Sequence, residues 1–271
     1  MPDVTDFDGY LFDLDGTVLL GDQLLPGVLE ALGALRKAGK TILFLTNTTT
    51  RTRRECQLRL QRLGLEAHLD EMLTAAYVSA LYLREREGEP RKVFVVGEPA
   101  LAAELEEQGI PHAADAMEAT HVLVGMDMHF HYDKLHQAMK AVRNGAALIA
   151  ANPDPFCPVD GDVLPDTWSM VKAIEAASCV TPHAVIGKPS KYYGDKVLQS
   201  SGLAAERCLM IGDRLETDIL FGANNGLRTA LVLTGVTSED DLRRSPIQPD
   251  YVWSTLHEIS SAFAASESPA S

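Results

Sequence analysis

Short apolar runs alternate with helix-length amphipathic segments along nearly the whole of this chain. That alternation constrains the fold more than any other feature. Strand–helix units in series build a largely parallel sheet with helices packed on its faces. In such a sheet the C-terminal strand ends open on one side, where ligands bind. The run Tyr10, Leu11, Phe12, Asp13, Leu14 predicts a buried strand, and it leads into Asp15, Gly16 and Thr17. Carboxylates so placed are costly to bury unless paired, hydrogen-bonded or bound to metal. A strand closed by an ordinary Asp-Gly turn is the plainer alternative, which the rest of the chain must decide.

Further strands are expected within 40–47, 92–97, 121–127, 147–154, 183–189, 207–213, 227–235 and 250–254. Helices are expected over 28–39, 52–65, 72–86, 101–109, 132–145, 167–178, 192–202, 219–226 and 256–265, several of them stopped by glycine. The tail from 264 to 271 is small and polar and is expected to fray. The middle block forms strand–helix units of its own, so it reads as a small α/β domain inserted into the first sheet. The expected division is 1–78 for the first part of the core, 79–180 for the insert and 181–271 for the second part of the core.

With 271 residues and 46% hydrophobic content, the chain can bury a sizeable core or two unequal ones. A formal net charge of -14 argues against a general nucleic-acid binder, though not against a locally positive site for a small anion. Cys56, Cys157, Cys179 and Cys208 are widely spaced and read as free thiols of a reducing compartment. Neither a signal-peptide pattern nor an apolar run of spanning length is visible. The expectation is a cytoplasmic enzyme without a membrane or nucleic-acid partner.

Four loops follow predicted strands and carry chemistry: Asp13-Leu14-Asp15-Gly16-Thr17, Thr46-Asn47, Gly187-Lys188-Pro189 and Gly212 to Asp218. Asp13, Asp15 and Asp213 together suit Mg²⁺, a hard cation that takes oxygen ligands and binds substrate phosphate. The cation would relieve their mutual repulsion and admit a phosphate. Lys188 supplies a second positive charge, and Thr46 and Asn47 supply hydrogen-bond donors for phosphate oxygens. These are the parts of a phosphoryl-transfer site. A nicotinamide-dependent redox enzyme fits poorly, because the first strand lacks the GxGxxG loop.

In this order and spacing, the four segments resemble the motifs of the haloacid dehalogenase superfamily of aspartate-nucleophile phosphatases. The stretches TNTTTRTR, GKPSKYYGD and IGDRLETDILFGANNG are similar to its NagD or p-nitrophenylphosphatase-like branch. The overall arrangement is most similar to bacterial sugar phosphatases of the AraL type. The resemblance implies a Rossmann-like core with an α/β cap of the C2 type, and the middle block stands where that cap is inserted. It further implies that Asp13 attacks phosphorus and that Asp15 serves as general acid and then base. Mg²⁺ would be held by the carboxylates of Asp13 and Asp213 and the carbonyl of Asp15, with Asp218 behind them orienting metal-bound water or Lys188. Thr46, the backbone at Asn47, and Lys188 would bind the phosphate. The presence of Asp15 favours phosphatase over dehalogenase chemistry.

The insert is expected to select the leaving group. In its loop 151–161, Asn152 and Asp154 are candidates for a polyol or nucleoside, against a plainer turn held by Asx hydrogen bonds. The segment 125–133 could be drawn as a metal site from Asp127, His129, His131 and Asp133. A loop with Asp133 as helix N-cap explains it more simply. Arg51, in the basic cluster 50–54, is a candidate for attracting phosphate, and a solvated face explains it equally well. The expected activity is hydrolysis of small phosphomonoesters such as sugar phosphates, with nucleoside monophosphates or pyridoxal phosphate as alternative substrates. A non-catalytic metabolite-binding or regulatory protein on the same fold is the alternative class. The expected partner is a small phosphorylated metabolite, and the expected assembly a cap-mediated homodimer.

Overall fold

The first apolar run folds as the strand Gly9–Asp13, whose Tyr10, Leu11 and Phe12 are fully buried. In the computed structural model, which describes residues 2–85, 91–159 and 161–267, it lies at the centre of a six-stranded sheet. The strand order is Tyr251–Trp253, Arg228–Val232, Cys208–Gly212, Gly9–Asp13, Thr41–Thr46, Met72–Thr74. Gly9–Asp13 pairs in parallel with Thr41–Thr46 on one side and Cys208–Gly212 on the other. The chain winds outward from this strand in both directions, which makes its C-terminal end the topological switch point. Register places the chemistry there. Phe12 is level with Phe44 and Ile211, so Asp13 stands beside Leu45 and Gly212, each one residue before a polar side chain.

Packing fixes that edge. The Phe12 and Phe44 rings lie 6.2 Å apart. The buried Tyr193, from the helix Lys191–Ser201, donates its hydroxyl to Leu73 O at 2.6 Å and Thr46 O at 3.3 Å. That helix begins at Ser190, whose side chain accepts from Tyr193 N, and ends at Gly202 in the left-handed region. A buried tyrosine with its hydroxyl satisfied holds the strand end without an orphan polar group.

The chain divides into two compact units, Met1–Thr46, Gln57–Leu73 and Pro189–Ser271 forming one, Asn47–Cys56 and Thr74–Lys188 the other. The second has a four-stranded parallel sheet in the order Ala184–Val185, Ala147–Ala150, His121–Val124, Val93–Val96. Val96, Val122, Val124, Leu148, Ala150, Val171 and Ile174 make its hydrophobic core with the helices Tyr132–Arg143 and Thr167–Ser178. Sequence reading ran the segment 181–188 with the core. Its strand Ala184–Val185 instead pairs with Ala147–Ala150 of the inserted sheet.

Three local features differ from the sequence reading. The expected helix 72–86 begins as the strand Met72–Thr74 at the edge of the core sheet and turns helical only at Ala75–Glu85, while Arg86 lies outside the described residues. The expected loop 151–161 enters a hairpin in which Phe156–Val159 pairs with Asp162–Pro165. The N-cap of the helix Tyr132–Arg143 is His131, which accepts from Lys134 N at 3.4 Å, rather than Asp133, which lies within the helix. Of the tail expected to fray, 268–271 lie outside the described residues. All four cysteines are free. Among the described residues no helix is long and apolar enough to cross a membrane.

Candidate active site

In the first unit, Asp13, Asp213 and Asp218 converge. Each offers a carboxylate oxygen, and these atoms lie within 4.8 Å of one another. The convergence follows from the backbone. Gly212 ends its strand, and Leu215–Ile219 winds as a π-helical turn that carries Asp218 back over it. Asp218 Oδ2 then accepts from Arg214 N at 3.1 Å. A Cβ on Gly212 would collide with the Asp218 side chain. Asp218, expected behind Asp13 and Asp213, therefore brings its carboxylate within 4.8 Å of theirs.

Asp213 is held more closely still. Its Oδ2 accepts from Val236 N at 2.7 Å, and its carbonyl accepts from Thr237 N at 3.2 Å. A Cβ on either Gly16 or Gly235 would collide with its carboxylate. Gly16 also has φ +98°, in the left-handed region, and its carbonyl accepts from Thr234 Oγ1 at 2.7 Å. The loop after Arg228–Val232 thus completes the site, although nothing in its spacing announced it.

Three clustered carboxylates, two of them almost fully buried and walled by glycine, form a hard oxygen donor set. Like charges this close call for a cation or a shared proton. The residues present fit Mg²⁺ on both counts. Asp15 behaves differently. Its side chain is 58% exposed and lies outside the carboxylate cluster, paired with Arg59 Nη1 at 3.2 Å. Arg59 donates also to Gly21 O at 2.5 Å and approaches Asp22 Oδ1 at 3.4 Å, which ties Asp15 to the hairpin Leu19–Leu20/Gln23–Leu24. Thr46, 4% exposed, ends its strand at the same sheet edge.

In the second unit, Asn47, Asn152, Asp154 and Lys188 form one hydrogen-bonded cluster, all but the half-buried Asn47 being buried. Asn47 Oδ1 accepts from Lys188 N at 2.8 Å, and Asn47 Nδ2 donates to Lys188 O at 3.0 Å and to Asp154 Oδ2 at 3.1 Å. Asn152 Nδ2 donates to Asn47 O at 2.7 Å, and its Oδ1 accepts from Asp154 N at 3.0 Å, an Asx turn. Lys188 is 1% exposed.

The remaining candidates have other partners. Asp127 is buried against Lys134 Nζ at 2.5 Å and receives His129 N, while His131 caps a helix. Among the described residues no metal-competent cluster forms there. Arg51 is exposed. In the same segment, the Arg53 guanidinium lies 3.5 Å over the Tyr77 ring and Arg53 N donates to the buried Glu104 at 2.6 Å.

Residues 10–111 match the family model described as haloacid dehalogenase-like hydrolase, and residues 185–259 match a second, described as HAD-hydrolase-like. The chain belongs to the haloacid dehalogenase-like hydrolases. The glycerol-3-phosphate phosphatase of Homo sapiens is 39% identical over 269 residues, covering 89% of this chain and 84% of that protein. The sugar-phosphatase AraL of Bacillus subtilis is 35% identical over 252 residues, covering 93% and 91%. The 4-nitrophenylphosphatase of Thermotoga maritima superposes with a TM-score of 0.90 at 34% identity, covering 95% and 98%. A glycerol phosphate phosphatase from Mycobacterium tuberculosis in complex with magnesium gives 0.87 at 32%, covering 96% and 78%. Relatives this similar over most of their length, all phosphatases, make this member of the family a phosphomonoesterase. The retained carboxylates speak against a non-catalytic binding protein.

Proposed function

We propose that the protein hydrolyses small phosphomonoesters through an aspartyl-phosphate on Asp13, with polyol and sugar phosphates as the favoured class. The single observation that carries the site assignment is the glycine-walled cluster of Asp13, Asp213 and Asp218 at the switch point of the sheet. Asp13, Asp213 and Asp218 would hold Mg²⁺, with the Asp15 carbonyl. The cation would supply charge neutralisation for the phosphate oxygens.

Asp13 is the nucleophile. One of its carboxylate oxygens bonds to phosphorus while the bond from phosphorus to the ester oxygen breaks. Asp15 gives its proton to the departing oxygen, which leaves as the alcohol. Asp15, now a carboxylate, takes a proton from water as that oxygen attacks phosphorus. The bond from Asp13 to phosphorus breaks, releasing inorganic phosphate and restoring both side chains. Thr46, the Asn47 backbone and Lys188 orient the phosphate and balance its charge. The preference for polyol and sugar esters is supported by the names of two relatives, a glycerol-3-phosphate phosphatase and a sugar-phosphatase. Free cysteines are compatible with a cytoplasmic setting.

The test is phosphate release with Mg²⁺ across polyol, sugar, nucleoside and pyridoxal phosphates, with Asp13→Asn as control. Turnover should fall by roughly 10³-fold or more in the variant, with its thermal transition retained. Full activity in Asp13→Asn would remove the proposed nucleophile. A tenfold preference for a nucleotide, about 1.4 kcal/mol of transition-state discrimination, would reassign the substrate class.

A further inference from the structure

Lys188 is a lysine at 1% exposure, so the backbone that carries it decides where its charge stands. The segment leading to it is laid down residue by residue against the inserted sheet. Ile186 N donates to Ala150 O at 3.0 Å and Gly187 N to Ala151 O at 2.8 Å. The next residue is Lys188, and there the partner is a side chain. The Asn47 carboxamide accepts from Lys188 N and donates to Lys188 O, at 2.8 and 3.0 Å, as a neighbouring strand's peptide group would.

Each polar atom of that carboxamide is committed. Oδ1 takes Lys188 N, and the two Nδ2 hydrogens go to Lys188 O and Asp154 Oδ2. The reversed amide would aim Nδ2 at a backbone N–H and Oδ1 at a carboxylate, so the network fixes the orientation. Asn152 and Asp154 hold Asn47 from the other side through Asn152 Nδ2 to Asn47 O and the Asx turn. The fit is close. A Cβ on Gly187 would stand 2.6 Å from Asn47 Oδ1 and 2.9 Å from both Ala151 O and Asn152 Cβ.

We infer that the Asn47 side chain is a positioning residue that sets Lys188 for the phosphate. Asp154 and Asn152 serve the same end by holding Asn47, rather than by contacting the leaving group. The inference rests on the reading of Lys188 as the phosphate-binding cation. It makes the loop 151–154 part of the phosphate machinery, indifferent to the alcohol being released.

Inorganic phosphate has no leaving group, so it separates these roles. Its affinity is measured calorimetrically on the Mg²⁺-loaded protein for Asn47→Ala, Asp154→Ala, Lys188→Ala and Asn47→Ala/Lys188→Ala, each with a thermal melt. Asn47→Ala and Asp154→Ala should each weaken phosphate by about tenfold or more, with kcat falling by the same factor for every ester. In the Lys188→Ala background, Asn47→Ala should cost nothing further, because its effect passes through the missing lysine. Should Asn47→Ala lack a folded transition, Asn47→Asp, of the same size but with a carboxylate facing Asp154 and Lys188 O, carries the same test. Multiplying losses in the double variant would overturn the inference. So would an Asp154→Ala defect confined to KM for particular esters, with phosphate affinity intact. If Lys188→Ala itself leaves phosphate affinity and turnover unchanged, the underlying reading of the site fails, and the inference with it.

Discussion

Arg59 donates to Asp15 across 44 residues of sequence, at 3.2 Å, and the same guanidinium grips Gly21 O. The exposed carboxylate proposed as general acid is thereby restricted to one side of its loop. Arg59→Ala should lower kcat for alkyl phosphates by about 3- to 10-fold, a fraction of the roughly 10²- to 10⁴-fold that acid–base catalysis contributes. The defect should be smaller with p-nitrophenyl phosphate, whose phenolate departs without needing a proton. Arg59→Lys should recover part of the loss, since it restores the charge but not the forked geometry. A uniform loss across both ester types would refute this role.

The two glycines that wall Asp213 make a sharper prediction. Gly16→Ala meets a carboxylate and a left-handed backbone at once, and Gly235→Ala meets the carboxylate alone. Both should weaken Mg²⁺ binding and lower turnover by about 10²-fold, with Gly16→Ala also the less stable of the two. Isothermal titration with Mg²⁺ and thermal melts read the two effects separately.

Chelation should act on the same cluster. Removing divalent cations should abolish turnover, and Mg²⁺ should restore it. Because the cation binds a site assembled by folding, saturating Mg²⁺ should raise Tm by about 5 °C or more. The Asp213→Ala variant should lose that increment. A metal-independent Tm in the native protein would contradict the assigned ligands.

Glu104 supplies a pH dependence away from the chemistry. Burial pushes its carboxyl above the ordinary value of 4.5, against the lowering pull of Arg53 N and the Arg53 guanidinium. A carboxyl raised on folding stabilises below its unfolded value and loses that contribution as pH rises through its folded value. Glu104→Gln keeps an oxygen for Arg53 N but cannot ionise. The Tm of the native protein relative to Glu104→Gln should therefore decline as pH rises above the ordinary value of 4.5. A difference that is flat with pH, measured by differential scanning fluorimetry, would dismiss the assignment.

Much of this was legible from local pattern. Tyr10 to Asp15 could be read as a strand running into carboxylates because burial and polarity change within six neighbouring residues. The same holds for Cys208 to Asp213. What escaped reading depends on distant partners. The bond from Arg59 to Asp15 and the clasp between Asn47 and Lys188, 141 residues apart, leave no periodicity behind. Gly235 and Val236 are equally silent, being a turn after a strand until the sheet brings them to Asp213. Asp218 joins the Asp13 and Asp213 carboxylates because a π-helical turn, which spacing does not announce, sets its direction. Asn152 and Asp154, of residue types suited to a polyol, bond in the structure to Asn47 and to each other, a pairing that no local pattern announces.

The burial of Lys188 has a consequence for how this protein can change. Taking an ammonium and a trio of carboxylates out of water costs folding free energy that their partners must offset, and part of what holds them is spread across glycines, an asparagine and loop amides with little hydrophobic value of their own. On the proposed assignment, selection for heat resistance in the absence of Mg²⁺ would favour an apolar residue at 188 and a neutral one at 213, at the expense of the proposed chemistry. Thermal robustness measured without the cation is therefore a poor guide to which variants of this enzyme remain active, and a library screened that way should be enriched in inactive proteins.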